Sequence, residues 1–192
     1  MNNTDETEQR RLADGIRKSD QRAFDELFRA MYPRLVRFAF KITRDWNASC
    51  DITQDIFVML WQQRNNIDPD RSIHSWLYRS VRNRSYNYQR DRRNIADPEM
   101  ADALTDESYP ADVLVNEDRQ EALLKRKFRE WIHALPLRQR ETFELSRFEG
   151  LCHQEIAAVM DVSVKTVNNH LTAALKQLRM RYKAYRQASQ DQ

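Results

Sequence analysis

Apolar residues at Phe24, Leu27, Phe28 and Met31 recur at i, i+3, i+4 and i+7, which places them on one face of a helix. Pro33 follows where the first turn of a new helix accepts a proline, and Leu35, Val36, Phe38, Ala39, Phe40 and Ile42 extend that second helix to about Thr43. A third helical pattern covers residues 48–64. Residues 65–73, NNIDPDRSI, are turn-rich, with Pro69 between two aspartates. A fourth pattern covers residues 72–93. Four helices sharing apolar faces predict one small domain over residues 20–94.

The pattern weakens over residues 95–118, IADPEMADALTDESYPADVLVNED, which predict a linker with at most a short helix at 100–104. Helical spacing resumes near Glu117. Ala122, Leu123, Phe128, Trp131, Ile132 and Leu135 form one stripe, and Pro136 opens a helix over 137–148 that Gly150 ends. Two more helices are expected at 153–160 and 164–182. These make a second domain over 119–182. The fold class expected is all-α: two small helical domains joined by a linker, the second ending in a helix-turn-helix.

Charge sharpens this division. Residues 1–94 hold 18 Lys/Arg and 13 Asp/Glu, and residues 119–192 hold 14 and 8, whereas residues 95–118 hold 8 acids and no base. Two basic blocks joined by an acidic strip suit approach to polyanions, although a mild excess of base also serves solubility. Two isolated glycines exclude a glycine-rich phosphate cradle. No apolar run is long enough to span a membrane or form a signal-peptide core, so a cytoplasmic protein without membrane insertion is expected. Cys50 and Cys152 are too few for a disulfide framework or zinc cluster. His74, His133, His153 and His170 are scattered and lack an HExxH or carboxylate cluster. No catalytic residue, metal or cofactor is therefore expected, and an enzyme is the weakest reading.

Three stretches carry candidate chemistry. Residues 153–172, HQEIAAVMDVSVKTVNNHLT, fit a helix-turn-helix. Ile156, Ala157 and Met160 pack the first helix, Asp161-Val162-Ser163 make the turn, and Ser163 caps the second helix. Val164, Val167 and Leu171 are expected inward. Lys165, Thr166, Asn168, Asn169 and Thr172 remain outward, offering a cation for phosphate or guanine and amides for adenine edges. In the fourth helix, arginines 79, 82, 84, 90, 92 and 93 interleave with Trp76, Tyr78, Tyr86 and Tyr88, a mixture suited to phosphates and unpaired bases. The alternative there is an ordinary helix with Trp76, Leu77, Val81 and Tyr88 as candidate core residues and the arginines on a solvated face. In the third helix, DITQDIFVMLWQQR crowds its acids at one end, which also suits the helix's positive N-terminus.

Together these stretches resemble a bacterial RNA polymerase sigma factor of the extracytoplasmic-function (ECF) group. DITQDIFVMLWQQR is similar to the family's second conserved region. SWLYRSVRNRSYNY is similar to its promoter-melting and −10-reading helix. ALPLRQRETFELSRFEGLCHQEIAAVMDVSVKTVNNHL is similar to its −35-reading domain. The resemblance spans about residues 20–181, and the order of three motifs makes it far more specific than any one. It implies that Asp51, Gln54, Asp55 and Val58 dock on the β′ clamp of core RNA polymerase, with Trp61 mainly structural. Trp76, Tyr78, Arg79, Arg82, Asn83 and Tyr86 would meet −10 DNA, the loop at 65–73 holding a flipped base with Asn83. Ser163, Lys165, Thr166, Asn168, Asn169 and Thr172 would read the −35 element.

The resemblance also implies the β flap of the polymerase, promoter DNA and an anti-sigma factor as partners. The segment VKTVNNHLTAALKQLR is similar to members that work with a membrane anti-sigma factor and an outer-membrane receptor. The linker, extended, reaches roughly 80 Å, enough for two elements roughly 34–70 Å apart. Four departures stand out: Asp161 in place of a turn glycine, Cys152 in place of a Ser or Thr cap, Asn87 where Asp is frequent, and Asn168 and Asn169 in place of more basic or smaller residues. The rival reading is a free-standing helix-turn-helix regulator, which leaves the acidic-headed third helix and the Arg/Tyr helix unexplained.

Overall fold

Asp20 starts the long second helix by accepting a hydrogen bond from the Arg22 N–H at 2.9 Å. It stands in a short turn that packs one helix tightly on the next. A Cβ at Gly15 would come within 2.8 Å of the Ala23 Cβ, so only glycine permits this approach. The computed structural model describes residues 3–95 and 119–190, which form helices, one 3-10 turn and connecting loops, with no strand among them. The chain divides into two units. The linker expected at 95–118 and its short helix at 100–104 lie outside the described residues, apart from Ile95, which ends a helix.

The first unit holds α1 (Asn3–Arg17), α2 (Gln21–Thr43), α3 (Trp46–Gln62), a 3-10 turn (Arg64–Asn66) and α4 (Ile73–Ile95). α2 packs on α1, α3 and α4. Ile16, Leu27, Met31, Leu35, Ile56, Phe57, Leu77 and Val81 are fully buried where these helices meet. An aromatic cluster joins α2 to α3: Phe28 lies 4.8 Å from Phe57, and Phe24 lies 5.1 Å from Trp61. Asp45 caps α3 by accepting from the Ala48 N–H at 3.0 Å.

Two expectations change here. The helices read on either side of Pro33 are one helix, α2, with Pro33 inside it. Proline removes one backbone donor and crowds the carbonyl four residues earlier. Pro33 and Arg29 both face solvent, and the apolar face runs on through Met31 and Leu35 without a break. The second change is α1, which the apolar pattern did not single out. Gln9, Leu12, Ala13 and Ile16 are its buried face, at i, i+3, i+4 and i+7.

The rest of the described chain holds α5 (Arg119–His133), α6 (Leu137–Arg147), α7 (His153–Met160) and α8 (Val164–Gln190). α8 packs against both α5 and α6. Its core includes Ile132, Leu135, Phe143, Ala174 and Leu178, with Trp131 and Leu175 against it. Leu123 and Phe128, expected in the buried stripe of α5, are exposed. Gly150, at φ 72°, turns the chain after α6, and the Leu151 N–H reaches back to the Leu145 carbonyl at 3.0 Å. α8 continues beyond the expected end at Tyr182. Tyr185 gives it a reason, since its ring meets Trp131 of α5 edge-on at 5.8 Å.

Candidate protein- and nucleic-acid-binding surfaces

α3 presents two distinct faces. Ile52, Ile56, Phe57 and Leu60 are buried. Asp51, Gln54, Asp55 and Val58 lie at i, i+3, i+4 and i+7 on the opposite side, and all four are exposed. Val58 is 54% exposed, an apolar side chain beside two carboxylates. Neither polar neighbour dangles. Gln54 Nε2 donates to the Tyr32 hydroxyl at 3.3 Å, and Arg84 Nη2 of α4 donates to Asp55 at 2.9 Å. Burial raises the Tyr32 hydroxyl pKa above its ordinary value, and the Gln54 contact opposes that rise. Trp61 stands apart from this stripe, packed on Phe24, with the Arg64 guanidinium 4.8 Å from its ring centre.

α4 sorts the expected −10 residues into three groups. Arg79, Asn83 and Tyr86 follow heptad spacing with Arg90 and Arg93, so one stripe carries three arginines, an amide and a half-buried ring. Trp76 belongs to the start of the helix. It lines a cavity of about 260 Å³ with Leu60, Gln63, Ile67, Arg71 and Ser72. Tyr78 is a core residue, 1% exposed, its ring 5.2 Å edge-on to Phe38. That burial removes Tyr78 from the DNA-facing set. Arg82 is also withdrawn from solvent, at 7% exposure, with its guanidinium 4.9 Å from the centre of the Tyr86 ring.

The cavity is bounded by the segment expected to hold a base, residues 65–73, yet Asn83 does not line it. Asn83 is about two turns, roughly 10 Å, further along α4 than Trp76. The two belong to one surface rather than one pocket. Leu60 and Gln63, at the end of α3, also line the cavity. Their proximity to Trp76 depends on how the loop folds back, and helical periodicity carries no signal for that.

The helix-turn-helix forms as its pattern predicts, with α7 and α8 as its helices. Asp161 adopts the left-handed conformation, φ 57° and ψ 52°, that a turn glycine would take freely. Cys152 is the N-cap of α7, and Glu155 offsets its weakness by accepting from the Cys152 N–H at 2.8 Å. Ser163 caps α8, accepting from the Thr166 N–H at 3.1 Å, and its hydroxyl lies 2.8 Å from that of Thr166. Lys165, Asn168, Asn169 and Thr172 are exposed, and Thr166 is half-buried beneath the cap. Val167 and Leu171 are buried as expected, but Val164 is 39% exposed. Val164 opens the first turn of α8, ahead of the core layer that Val167 begins.

Among the described residues, no cluster of His, Cys, Asp and Glu could hold a metal ion, and no helix is long and apolar enough to cross a membrane. The surfaces that stand out are instead an acid-and-valine stripe, a basic stripe with an adjacent cavity, and a recognition-type helix.

Known proteins share this arrangement. Residues 27–95 match the model of sigma-70 region 2, and residues 125–178 match sigma-70 region 4. The chain is 32% identical over 163 residues to the ECF RNA polymerase sigma factor RpoE of Cereibacter sphaeroides, covering 83% of this chain and 86% of the relative. Among solved structures, it resembles CnrH in complex with the cytosolic domain of CnrY, with a TM-score of 0.62 and 24% identity over 92% of this chain and 98% of the other. It also resembles the sigma factor RpoE of Bartonella quintana in complex with the anti-sigma factor NepR, with a TM-score of 0.60 and 20% identity over 83% and 96% of the two chains. With α2–α4 matching region 2 and α5–α8 carrying the region 4 helix-turn-helix, the chain belongs to the ECF group of RNA polymerase sigma factors.

Proposed function

We propose that this sigma factor docks on core RNA polymerase through the outward stripe of α3, opens −10 DNA along α4 and its adjoining cavity, and reads the −35 element with the start of α8. The chain directs promoter-specific initiation of transcription. The observation that carries the residue assignment is the composition of the α3 stripe. Two carboxylates, an amide and an exposed valine repeat at one helical face on an otherwise basic unit. That face suits a basic protein surface with an apolar centre, here the β′ clamp, and it repels DNA.

The stripe of Arg79, Asn83, Tyr86, Arg90 and Arg93 supplies cations for phosphates and one ring for stacking. Binding unpaired strand better than duplex offsets the few kcal/mol that each unpaired base costs. Trp76 and its cavity are the place for an extruded base. On α8, Lys165 holds phosphate or guanine, and Asn168, Asn169 and Thr172 reach base edges. Ser163 and Thr166 set the helix start from which they project. The protein needs no catalytic group or cofactor of its own, and it works in the cytoplasm. The β flap is a second polymerase contact. An anti-sigma factor is a further partner, as NepR is for the solved RpoE named above.

The test is transcription from reconstituted bacterial core polymerase on fragmented genomic DNA from the source, with and without this protein. Discrete transcripts that start just downstream of a shared two-part sequence support the proposal and reveal that sequence. Duplex binding by the chain alone, with no transcripts, would instead make it a free-standing regulator.

A further inference from the structure

The loop that walls the cavity beside Trp76 is held from outside by contacts from α1 and the turn after it. Ser72 donates its hydroxyl proton to Gln9 Oε1 at 3.0 Å. The same hydroxyl accepts from the Ser75 N–H at 3.1 Å, so Ser72 also caps α4, the helix that carries Trp76. Arg10 pairs with Asp70 at 2.9 Å, and Arg64, at the start of the 3-10 turn, donates to the Ser19 hydroxyl at 2.8 Å. The first of these contacts differs in kind. Arg10 and Asp70 are both mostly exposed, where an ion pair contributes little. Gln9 is 6% exposed, and a hydrogen bond made there is costly to leave unmade.

We infer that Gln9 is a positioning residue for the −10 cavity, acting through Ser72 from a helix outside both matched family regions. The chain of cause is short. A hydroxyl has one proton and lone pairs. With its proton committed to Gln9, the oxygen of Ser72 faces the Ser75 N–H, which fixes the first turn of α4. That turn carries Ile73 and Trp76, and both line the cavity together with Ser72. Without the Gln9 acceptor, the hydroxyl rotates to find another and the cap loosens. The cavity then loses its wall while the α3 stripe, built on a different helix, keeps its shape. Gln9 thus bears on strand opening and −10 preference and not on docking.

This inference rests on the cavity being the −10 base site, and the experiment separates the two ideas. Holoenzyme is assembled from core polymerase with the full chain carrying Gln9→Leu, Ser72→Ala, both, or Trp76→Ala. Opening is read by fluorescence of 2-aminopurine in the non-template −10 strand, and core affinity is read separately. Gln9→Leu is expected to slow opening roughly three- to tenfold with core affinity unchanged. The double variant should open no more slowly than Ser72→Ala alone, since both remove one linkage. Normal opening by Gln9→Leu, additive effects of the pair, or a parallel fall in core affinity would each overturn the positioning role. Normal opening by Trp76→Ala would remove the cavity reading, and this inference with it. Failure of Trp76→Ala beside normal opening by Gln9→Leu would remove this inference alone.

Discussion

Arg84 of α4 donates to the Asp55 carboxylate of α3 at 2.9 Å, and so joins the basic helix to the acidic stripe of α3. Both side chains are about half exposed, so the pair contributes well under 1 kcal/mol and is screened by salt. In the free protein, Arg84 therefore competes weakly with any basic partner for Asp55. Arg84→Ala is expected to tighten binding to core polymerase about twofold at low salt, with the gain fading as salt rises. Reversing both Asp51 and Asp55 to Lys should abolish binding, with thermal stability nearly unchanged because both side chains are exposed. Titration of labelled core polymerase with each variant checks both outcomes. Normal binding by the double reversal would move the docking surface off α3.

The outward residues of α8 divide by chemistry. Lys165 offers a point charge, so Lys165→Ala should weaken binding to all −35 sequences alike and lower the salt slope of the affinity by about 1. Asn169 offers an amide that can meet one base edge at two points. Asn169→Ala should cost about 1–3 kcal/mol on the preferred sequence and little on others. Binding isotherms over a salt series, on matched and substituted −35 duplexes, separate the two. A sequence-independent loss at Asn169 would reassign it to the backbone.

Legibility followed the length and purity of each apolar stripe. The apolar faces of α2, α3 and α4 were readable because large apolar residues recur over several turns, although Pro33 made α2 look like two helices. α1 was not, because its buried face has only Leu12 and Ile16 as large apolar groups, with Ala13 and the polar Gln9 completing it. Tyr78 was misplaced for a different reason. An aromatic ring next to arginine invites a DNA reading, yet Tyr78, Val81, Arg82 and Ser85 share a spacing of i, i+3, i+4 and i+7, and all four are buried. The phase of α4 held the answer that residue type obscured. The Arg84–Asp55 pair, 29 residues apart, and the fold of the loop against Gln63 depend on how helices cross, and no local spacing encodes that.

Asp161 offers a test of the helix-turn-helix backbone without touching its reading face. A non-glycine residue at φ 57° meets steric opposition of roughly 1–2 kcal/mol, somewhat less for Asp. Glycine removes that opposition but adds entropy to the unfolded chain. The balance for Asp161→Gly is a gain of about 0.5 kcal/mol. Asp161→Val should instead cost more than 1 kcal/mol. Thermal melts of the two variants should therefore shift in opposite directions. The −35 affinity of Asp161→Gly should match that of the parent, because Lys165, Asn168 and Asn169 lie on α8 beyond the turn.

The Tyr88 hydroxyl donates to Asp45 Oδ2 at 2.8 Å, while Asp45 Oδ1 caps α3, and this joint should leave a mark at both ends of the pH scale. The Ala48 N–H first, and the Tyr88 hydroxyl second, hold the Asp45 carboxyl below its ordinary value of 3.8. A depressed folded pKa means that the unfolded chain takes up the proton first. The stability from this group is present above 3.8 and is lost as pH falls towards the folded value. Tyr88 shifts the other way, raised above its ordinary 10.0 chiefly by its bond to Asp45. Its share is complete below 10.0 and is lost as pH rises through the higher folded value. Tyr88→Phe keeps the ring and deletes the hydrogen bond. Urea unfolding from pH 5 to 9 should show a constant deficit of roughly 1 kcal/mol. Below the carboxylate range and above the tyrosine range the two curves should converge, as the parent loses what the variant never had. The Ala48 cap survives in Tyr88→Phe and still holds the carboxyl down, so the variant keeps a smaller acid loss of its own. A deficit that stayed constant into acid would mean that Tyr88 does not bond the ionised carboxylate.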